Sequence, residues 1–128
     1  MMLKRVSHRS CYLISDPEYT GTLIDKHDNV FWYKDGKFHR EDGPACEWAN
    51  GSKEWYINGV WHREDGPARI GVSGSKAWMI NGKLHREDGP AVEHANGYKS
   101  WWFDNKEFTE EEHKGKVRSK KLDSFLSQ

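Results

Sequence analysis

Hydrophobic and polar positions alternate along this chain in short runs that recur every 23 residues. The run at 55–77 begins with Trp-Tyr-Ile, a triplet of residues that favour β-strands. Asn58-Gly59 follows, and this pair is the strongest short signal for a two-residue hairpin turn. Val60-Trp61-His62 is predicted to return as the second strand. Gly and Pro interrupt the pattern within 63–67, because Pro fixes φ and lacks an N–H donor, and a strand resumes at 68–72.

One phrase, His-Arg-Glu-Asp-Gly-Pro-Ala, marks the period at residues 39–45, 62–68 and 85–91. A fixed period of 20–50 residues indicates a repeat architecture. The sequence therefore predicts an all-β fold, an elongated antiparallel meander of repeated β-hairpins, with the Arg-Glu-Asp-Gly-Pro segment as a bulge. The predicted units are 32–54, 55–77, 78–100 and a partial unit at 101–108, which together form a repeat region at 31–108.

The two ends differ from the repeats. Residues 1–30 lack the phrase and are predicted to form an N-terminal β cap with strands at Cys11–Ser15 and Gly21–Asp25, because a repeat array needs its ends covered. Residues 109–128 are predicted to form a capping helix from Glu110 to Leu126. Thr109 and Glu112 have the spacing of a capping box. The expected apolar stripe of the helix is Val117, Leu122, Phe125 and Leu126.

Composition narrows the class of protein. The chain has 128 residues, enough for one domain, with 20 basic and 20 acidic residues and no net charge. That balance argues against a nucleic-acid binder, which normally carries a basic stripe. No apolar run is long enough to span a bilayer, and the run near the N-terminus is too short for a signal peptide. Two cysteines outside any CxxC spacing favour reduced thiols and a cytoplasmic location.

The repeated unit resembles the MORN repeat. The matching features are an aromatic residue beside an Asn-Gly turn, a Lys and a His just after it, and a second Asn-Gly pair: Trp78, Asn81-Gly82, Lys83, His85 and Asn96-Gly97. Where that family has Gly-x-Gly after the His, this chain has Arg-Glu-Asp-Gly-Pro. In that respect it is similar to variant MORN-like repeats of uncharacterised bacteriophage and large-virus proteins. The resemblance covers residues 25–115 and implies hairpin stacks that bind proteins or lipids, often as homodimers, without catalytic residues.

Two columns of side chains recur at equal phase. The tryptophans at 32, 55, 78 and 101 are predicted to form a buried spine. The histidines at 39, 62 and 85 suggest either a metal site or a hydrogen bond that holds the turn. Equivalent residues of consecutive hairpins lie roughly 10 Å apart, whereas zinc needs its ligand nitrogens within about 2.1 Å. We therefore expect the hydrogen bond, and we expect no metal and no cofactor.

The candidate contact residues are the arginines of a third column and the aromatic residues that depart from the repeat. Arginines after each His either pair with the neighbouring acids or form an anion-binding edge, since Arg suits bidentate phosphate contact. Aromatic residues that break the repeat are good binding anchors. The candidate partner-binding residues are Trp48, Tyr56, Trp61, Trp102, Arg40, Arg63 and Arg86.

Function is expected to be binding without chemistry. Catalysis needs one asymmetric constellation, whereas the His and the Glu-Asp pair of the repeated phrase recur in every unit, so no catalytic residue is predicted. Together with the viral resemblance, this favours a small phage protein that binds and inhibits or sequesters a host protein in antiviral defence, in the host cytoplasm. The alternative is a sponge for a phosphorylated small molecule or signalling nucleotide, clamped by Arg63, Arg86 and nearby aromatic residues.

Overall fold

The computed structural model describes residues 3–5 and 18–126. Its strands are short and a single helix follows them. The elements in chain order are β1 (Leu3–Arg5), β2 (Gly21–Ile24), β3 (Val30–Lys34), β4 (Lys37–Phe38), β5 (Cys46–Glu47), β6 (Lys53–Glu54), β7 (Tyr56–Ile57), β8 (Val60–Trp61), β9 (Arg69–Ile70), β10 (Lys76–Ala77), β11 (Met79–Ile80), β12 (Lys83–Leu84), β13 (Val92–Glu93), β14 (Lys99–Phe103), β15 (Lys106–Phe108) and α1 (Glu110–Leu126).

The strands form one long sheet with two small hairpins beside it. The sheet order is β1-β2-β3-β5-β6-β9-β10-β13-β14-β15, with β4 paired to β3, while β7-β8 and β11-β12 are separate two-stranded ribbons. The β1–β2 pair is parallel and the other pairings are antiparallel. The predicted all-β antiparallel meander with a C-terminal helix is confirmed. Of the two predicted cap strands, the second is present at Gly21–Ile24 and Cys11–Ser15 lies outside the described residues.

The hairpin turns follow the sequence closely. Asn58 and Gly59 have φ values of 50° and 79°, and Asn81 and Gly82 have 50° and 78°. Two successive residues with positive φ define the type I′ turn, which Asn-Gly adopts at little cost. The predicted turns are therefore confirmed, and they place strands such as β7 and β8 in register.

The segment predicted as a bulge is instead a compact turn. Residues 62–68 form no strand and separate the β7-β8 ribbon from β9, which belongs to the long sheet. The strand predicted at 68–72 shortens to Arg69–Ile70. Pro67 cannot donate to a ladder, and the Arg63 side chain folds back to bond the Pro67 carbonyl at 3.1 Å. The strand therefore breaks completely at this point, so that each unit contributes a ribbon and a sheet segment.

The buried core is not the tryptophan column. Its largest cluster lies near β2 and β3 and consists of Tyr19, Leu23, Phe31, Tyr33 and Cys46. Further along the chain, the alanine that ends each repeated phrase is fully buried: Ala45, Ala68 and Ala91. All four column tryptophans are only partly buried, so the predicted spine is wrong. An arginine guanidinium lies 3.8–4.0 Å from the ring centres of the first three and covers them in place of a packed core.

Helix α1 has the predicted bounds and the predicted cap. The Thr109 backbone N–H donates to Glu112 Oε1 at 2.9 Å, and the Glu112 N–H donates to Thr109 Oγ1 at 3.1 Å, as a capping box requires. The predicted apolar stripe is wrong beyond Val117. The helix buries His113 and Val117, whereas its later apolar residues are exposed: Leu122, Phe125 and Leu126. The His113 ring holds the helix to the repeats by bonding the Arg86 carbonyl.

Candidate functional site

One face of the long sheet carries a row of residues that differ from unit to unit. Phe31 pairs with Cys46, Cys46 with Glu54, Glu54 with Arg69, Arg69 with Ala77, and Ala77 with Val92 across successive strands. Directly paired residues point to the same side of a sheet. In the repeat, Arg69 stands where the neighbouring units have Cys46 and Val92, and Glu54 stands where the next unit has Ala77. A charged pair is thus confined to the middle of this face.

Glu54 gathers three of the predicted aromatic residues. Its carboxylate accepts hydrogen bonds from Trp48 Nε1 at 2.8 Å, Trp61 Nε1 at 3.0 Å and the Tyr56 hydroxyl at 3.1 Å. The Glu54 side chain is 16% exposed. Burial, and next the Glu54 charge, raises the pKa of Tyr56 well above its ordinary range, so this hydroxyl stays a donor. The three aromatic rings are therefore held rigidly around one carboxylate.

Arg69 is the open cation of this cluster. Its Nε lies 3.6 Å from Glu54 Oε1, and its guanidinium carbon lies 5.0 Å from the centre of the Trp61 ring. The side chain is 53% exposed, and within residues 18–126 its terminal nitrogens donate no hydrogen bond. Arg has a planar fork that suits carboxylates and phosphates. Arg69 can therefore offer a pre-oriented bidentate contact to an anionic group.

Beside Arg69 a groove opens where one unit lacks a side chain. Gly71 stands at the position that holds Trp48 in unit one and His94 in unit three. The cavity measures about 430 Å³, and we call it the Gly71 groove; among its lining residues are Trp48, Glu54, Arg69, Gly71, Ala77, Val92 and His94. A Cβ atom added to Gly71 would meet nothing closer than 3.8 Å. The groove exists because the repeat has a gap there, and a larger side chain would enter it.

The predicted arginines face the other way and are part of the scaffold. Arg63 Nε donates to Asp65 Oδ1 at 3.0 Å, and Arg63 Nη1 donates to the Pro67 carbonyl. Its guanidinium carbon lies 4.0 Å from the centre of the Trp55 ring. Arg40 and Arg86 repeat all three contacts. Of the two interpretations, internal ion pairing is confirmed, and the three side chains are only 21–24% exposed.

The histidines hold the turns, as expected. The Nδ1 atoms of His39, His62 and His85 each accept a hydrogen bond from a backbone N–H in the following unit's turn, at 2.9–3.1 Å. The donors are Asn58, Asn81 and Asp104 in that order. Each His therefore links consecutive units, and its Nδ1 is already occupied.

The remaining predicted contact residue lies apart from the groove. Trp102 Nε1 donates to Ser100 Oγ at 2.8 Å, and the ring is partly buried in β14. Trp102 does not line the Gly71 groove. Of the seven candidate residues, the structure brings Trp48, Tyr56 and Trp61 together, leaves Trp102 separate, and places the three arginines in the scaffold.

Among residues 18–126, no three His, Cys, Asp or Glu side chains are grouped so as to hold a metal ion. No helix in the described ranges is long and apolar enough to cross a membrane. The Cys46 side chain is buried.

Comparison of the chain with protein-family models, with curated proteins and with solved structures found no match in any of the three. Function is therefore inferred from the grooves and the charges around them.

Sequence reasoning missed Glu54, Arg69 and Gly71. The signal was present, since each departs from its column in the repeat just as Trp48 and Trp61 do. These three positions are not aromatic, and only aromatic residues that differ between units were predicted as binding anchors. A charge replacing a small residue, or a glycine replacing a large one, marks a non-equivalent position equally well.

Proposed function

We propose that this chain is a non-enzymatic protein-binding repeat module that holds its partner in the Gly71 groove. One observation carries the proposal. Four residues by which the units differ, Trp48, Glu54, Arg69 and Gly71, line this groove together with the shared Lys53 and Lys76, whereas the shared Arg, His and Trp residues are used in hydrogen bonds and stacking within the scaffold. A repeat scaffold gains specificity only where its units are not equivalent.

The groove indicates the chemistry of the partner segment. Apolar side chains of Ala77 and Val92, the Trp48 ring and Arg69 all line it. Buried aromatic and arginine residues are the usual anchors of protein interfaces. The best fit is an apolar side chain with a nearby carboxylate, which would lie in the groove and pair with the terminal nitrogens of Arg69. Lys53 and Lys76 also line the groove, so shape and positive charge would act together.

The biological role that we propose is inhibition or sequestration of a host protein by a small phage protein. It is supported by the resemblance of the repeated phrase to MORN-like repeats of phage and large-virus proteins, and by a binding surface without an evident reaction centre. A binder of this kind acts by occupying its target. It needs only a rigid groove and sufficient abundance.

The alternative is a sponge for a phosphorylated small molecule, and the residues proposed to bind that ligand now differ from those predicted from the sequence. Arg40, Arg63 and Arg86 each already bond an aspartate and a carbonyl. The terminal nitrogens of Arg69, in contrast, donate no hydrogen bond within residues 18–126. A volume of about 430 Å³ lies within the range of small-molecule pockets. A ligand of this class would therefore use the same groove, with its phosphate on Arg69.

The direct test is to fill the groove. Gly71→Trp copies the side chain that unit one carries at the equivalent position, and a Cβ atom fits at Gly71 without a close contact and without a positive φ. We expect this variant to remain folded and to lose its partner when tagged protein is recovered from host cells and examined by native mass spectrometry. The unchanged protein should carry a defined additional protein mass.

Val72→Trp is the matched control. It adds the same side chain one position further along, where Val72 is 67% exposed and lies outside the groove. This control should retain the partner. Equal retention by both variants would place the contact elsewhere, and a bound mass of a few hundred daltons in place of a protein would favour the sponge.

A further inference from the structure

The opposite side of the repeats presents a second kind of groove between consecutive Arg-Glu-Asp-Gly-Pro turns. One, of about 680 Å³, lies between the turns at 40–43 and 62–65, with Trp55 and Ile57 lining it. The other, of about 800 Å³, lies between the turns at 63–67 and 85–88, with Trp78 and Ile80 in the equivalent places. We call these the first and second inter-turn grooves. They are the same site displaced by one repeat.

The second inter-turn groove already receives a cation from this chain. Lys120 of α1 lines it, and Lys120 Nζ lies 2.5 Å from Glu87 Oε2. Glu87 is 37% exposed. The equivalent glutamates of the two preceding turns, Glu64 and Glu41, are 83% and 80% exposed, and among residues 18–126 neither has a lysine or arginine partner. The structure therefore shows one turn glutamate paired with a lysine and two equivalents left open.

The other charges in the first groove leave a negative excess. Arg40 and Arg63 are each paired with the aspartate two residues later, Asp42 and Asp65. His62 Nε2 lies 3.8 Å from Glu64, while the Nδ1 atom of this ring accepts a backbone hydrogen bond. With His neutral, Glu41 and Glu64 are the groups without compensation. An apolar floor below two open carboxylates suits the aliphatic stem and charged end of a lysine.

The two turns also share a backbone carbonyl at the position before the glutamate. The Arg86 carbonyl beside Glu87 accepts the His113 ring N–H at 2.5 Å. In the described region the equivalent carbonyl of Arg63, beside Glu64, accepts no hydrogen bond. The Arg63 carbonyl and the Glu64 carboxylate are thus equivalent to the Arg86 carbonyl and the Glu87 carboxylate, which α1 contacts.

We infer that the ridge formed by the turns at 40–44 and 63–67 is a docking surface for a basic segment of a partner protein. A lysine or arginine enters the first inter-turn groove and pairs with Glu64, as Lys120 pairs with Glu87, and a second cation pairs with Glu41. Equivalent turns are roughly 10 Å apart, two strand spacings. Cations three residues apart on a segment in the polyproline II conformation match that distance and lie on one side of it, since this helix has three residues per turn and rises about 3.1 Å per residue.

This surface is independent of the Gly71 groove, with which the inter-turn grooves share no lining residue. The test uses a synthetic nine-residue peptide with lysine at positions 2, 5 and 8 between glycine and serine. It is titrated into the full-length protein at low ionic strength and followed by two-dimensional amide NMR. We expect saturable shifts at residues 63–66 and in the Trp55 indole signal. In Glu64→Gln the dissociation constant should rise about tenfold, which corresponds to ~1.4 kcal/mol.

Two controls make the result specific. Glu111→Gln removes an exposed charge from the first turn of α1 and should leave the dissociation constant unchanged. Lys120→Ala frees Glu87, so additional shifts should appear at residues 86–88 and the affinity should rise. The inference is overturned by absence of shifts, by equal affinity in Glu64→Gln, or by shifts confined to the Gly71 groove. Such results would leave the proposal for the Gly71 groove intact, because Gly71→Trp tests it separately.

Discussion

Phe31→Ala is expected to destabilise the protein by about 3–5 kcal/mol, the range for removing a fully buried Phe. Phe31 has no exposed surface. Its ring centre lies 5.3 Å from that of Trp48 in an edge-to-face arrangement and 5.7 Å from that of Phe38. Small domains are stable by only about 5–15 kcal/mol, so this loss is a large share of the total. Urea unfolding followed by tryptophan fluorescence measures it.

Phe125→Ala is the matched control for that experiment. Phe125 is 71% exposed near the end of α1, and exposed substitutions usually change stability by no more than about 0.5 kcal/mol. A large effect of Phe125→Ala, or a small one of Phe31→Ala, would mean that the core does not lie around β2 and β3 as described.

Gly66→Ala is expected to cost about 1–3 kcal/mol, the usual range for overpacking. The reason is steric and local. A Cβ atom at position 66 would lie 2.7 Å from Arg63 Cζ, and that guanidinium is held by Asp65, by the Pro67 carbonyl and by the Trp55 ring. To admit the methyl group, Arg63 must give up some of these contacts. The same urea series measures the cost.

A double-mutant cycle separates this cause from others. In an Arg63→Ala background, Gly66→Ala should cost much less, since the atoms that it would meet are gone; contacting residues typically show coupling energies of about 0.5–3 kcal/mol. Gly71→Ala is the control glycine, with its nearest neighbour at 3.8 Å, and should be close to neutral. Additive effects of Arg63→Ala and Gly66→Ala would contradict a scaffold role for the stacked arginine.

Much of the fold follows from local chemistry that is legible in the sequence. The Asn58-Gly59 pair specifies its turn because Asn and Gly tolerate positive φ, and Thr109 with Glu112 specifies the start of α1 because each satisfies the other's backbone N–H. The role of His62 could also be predicted, because the distance between equivalent units argued against metal binding and left the turn as its partner. These features depend on residues close together in the chain or related by one period.

What the sequence did not reveal depends on the balance between competing partners. Trp55 was predicted to be buried because large aromatic residues usually are, but Arg63 covers its face and leaves it partly exposed. The helix stripe failed similarly, since His113 is buried in place of Leu122 through its bond to the Arg86 carbonyl. Glu54 in β6 became a centre only once the residue after β5 and strands β7 and β8 had brought three donors to it. Such convergence requires the strand pairing to be known.

The central claim is that binding depends on where the units differ, while the shared Arg, His and Trp chemistry supports the fold. It is tested by native mass spectrometry of tagged protein from host cells, comparing the unchanged chain with Arg69→Val/Gly71→His, in which unit two carries the residues of unit three. We predict that the double variant has the same thermal stability within a few degrees and emerges without the partner mass. Retention of that mass by the folded double variant would contradict the claim.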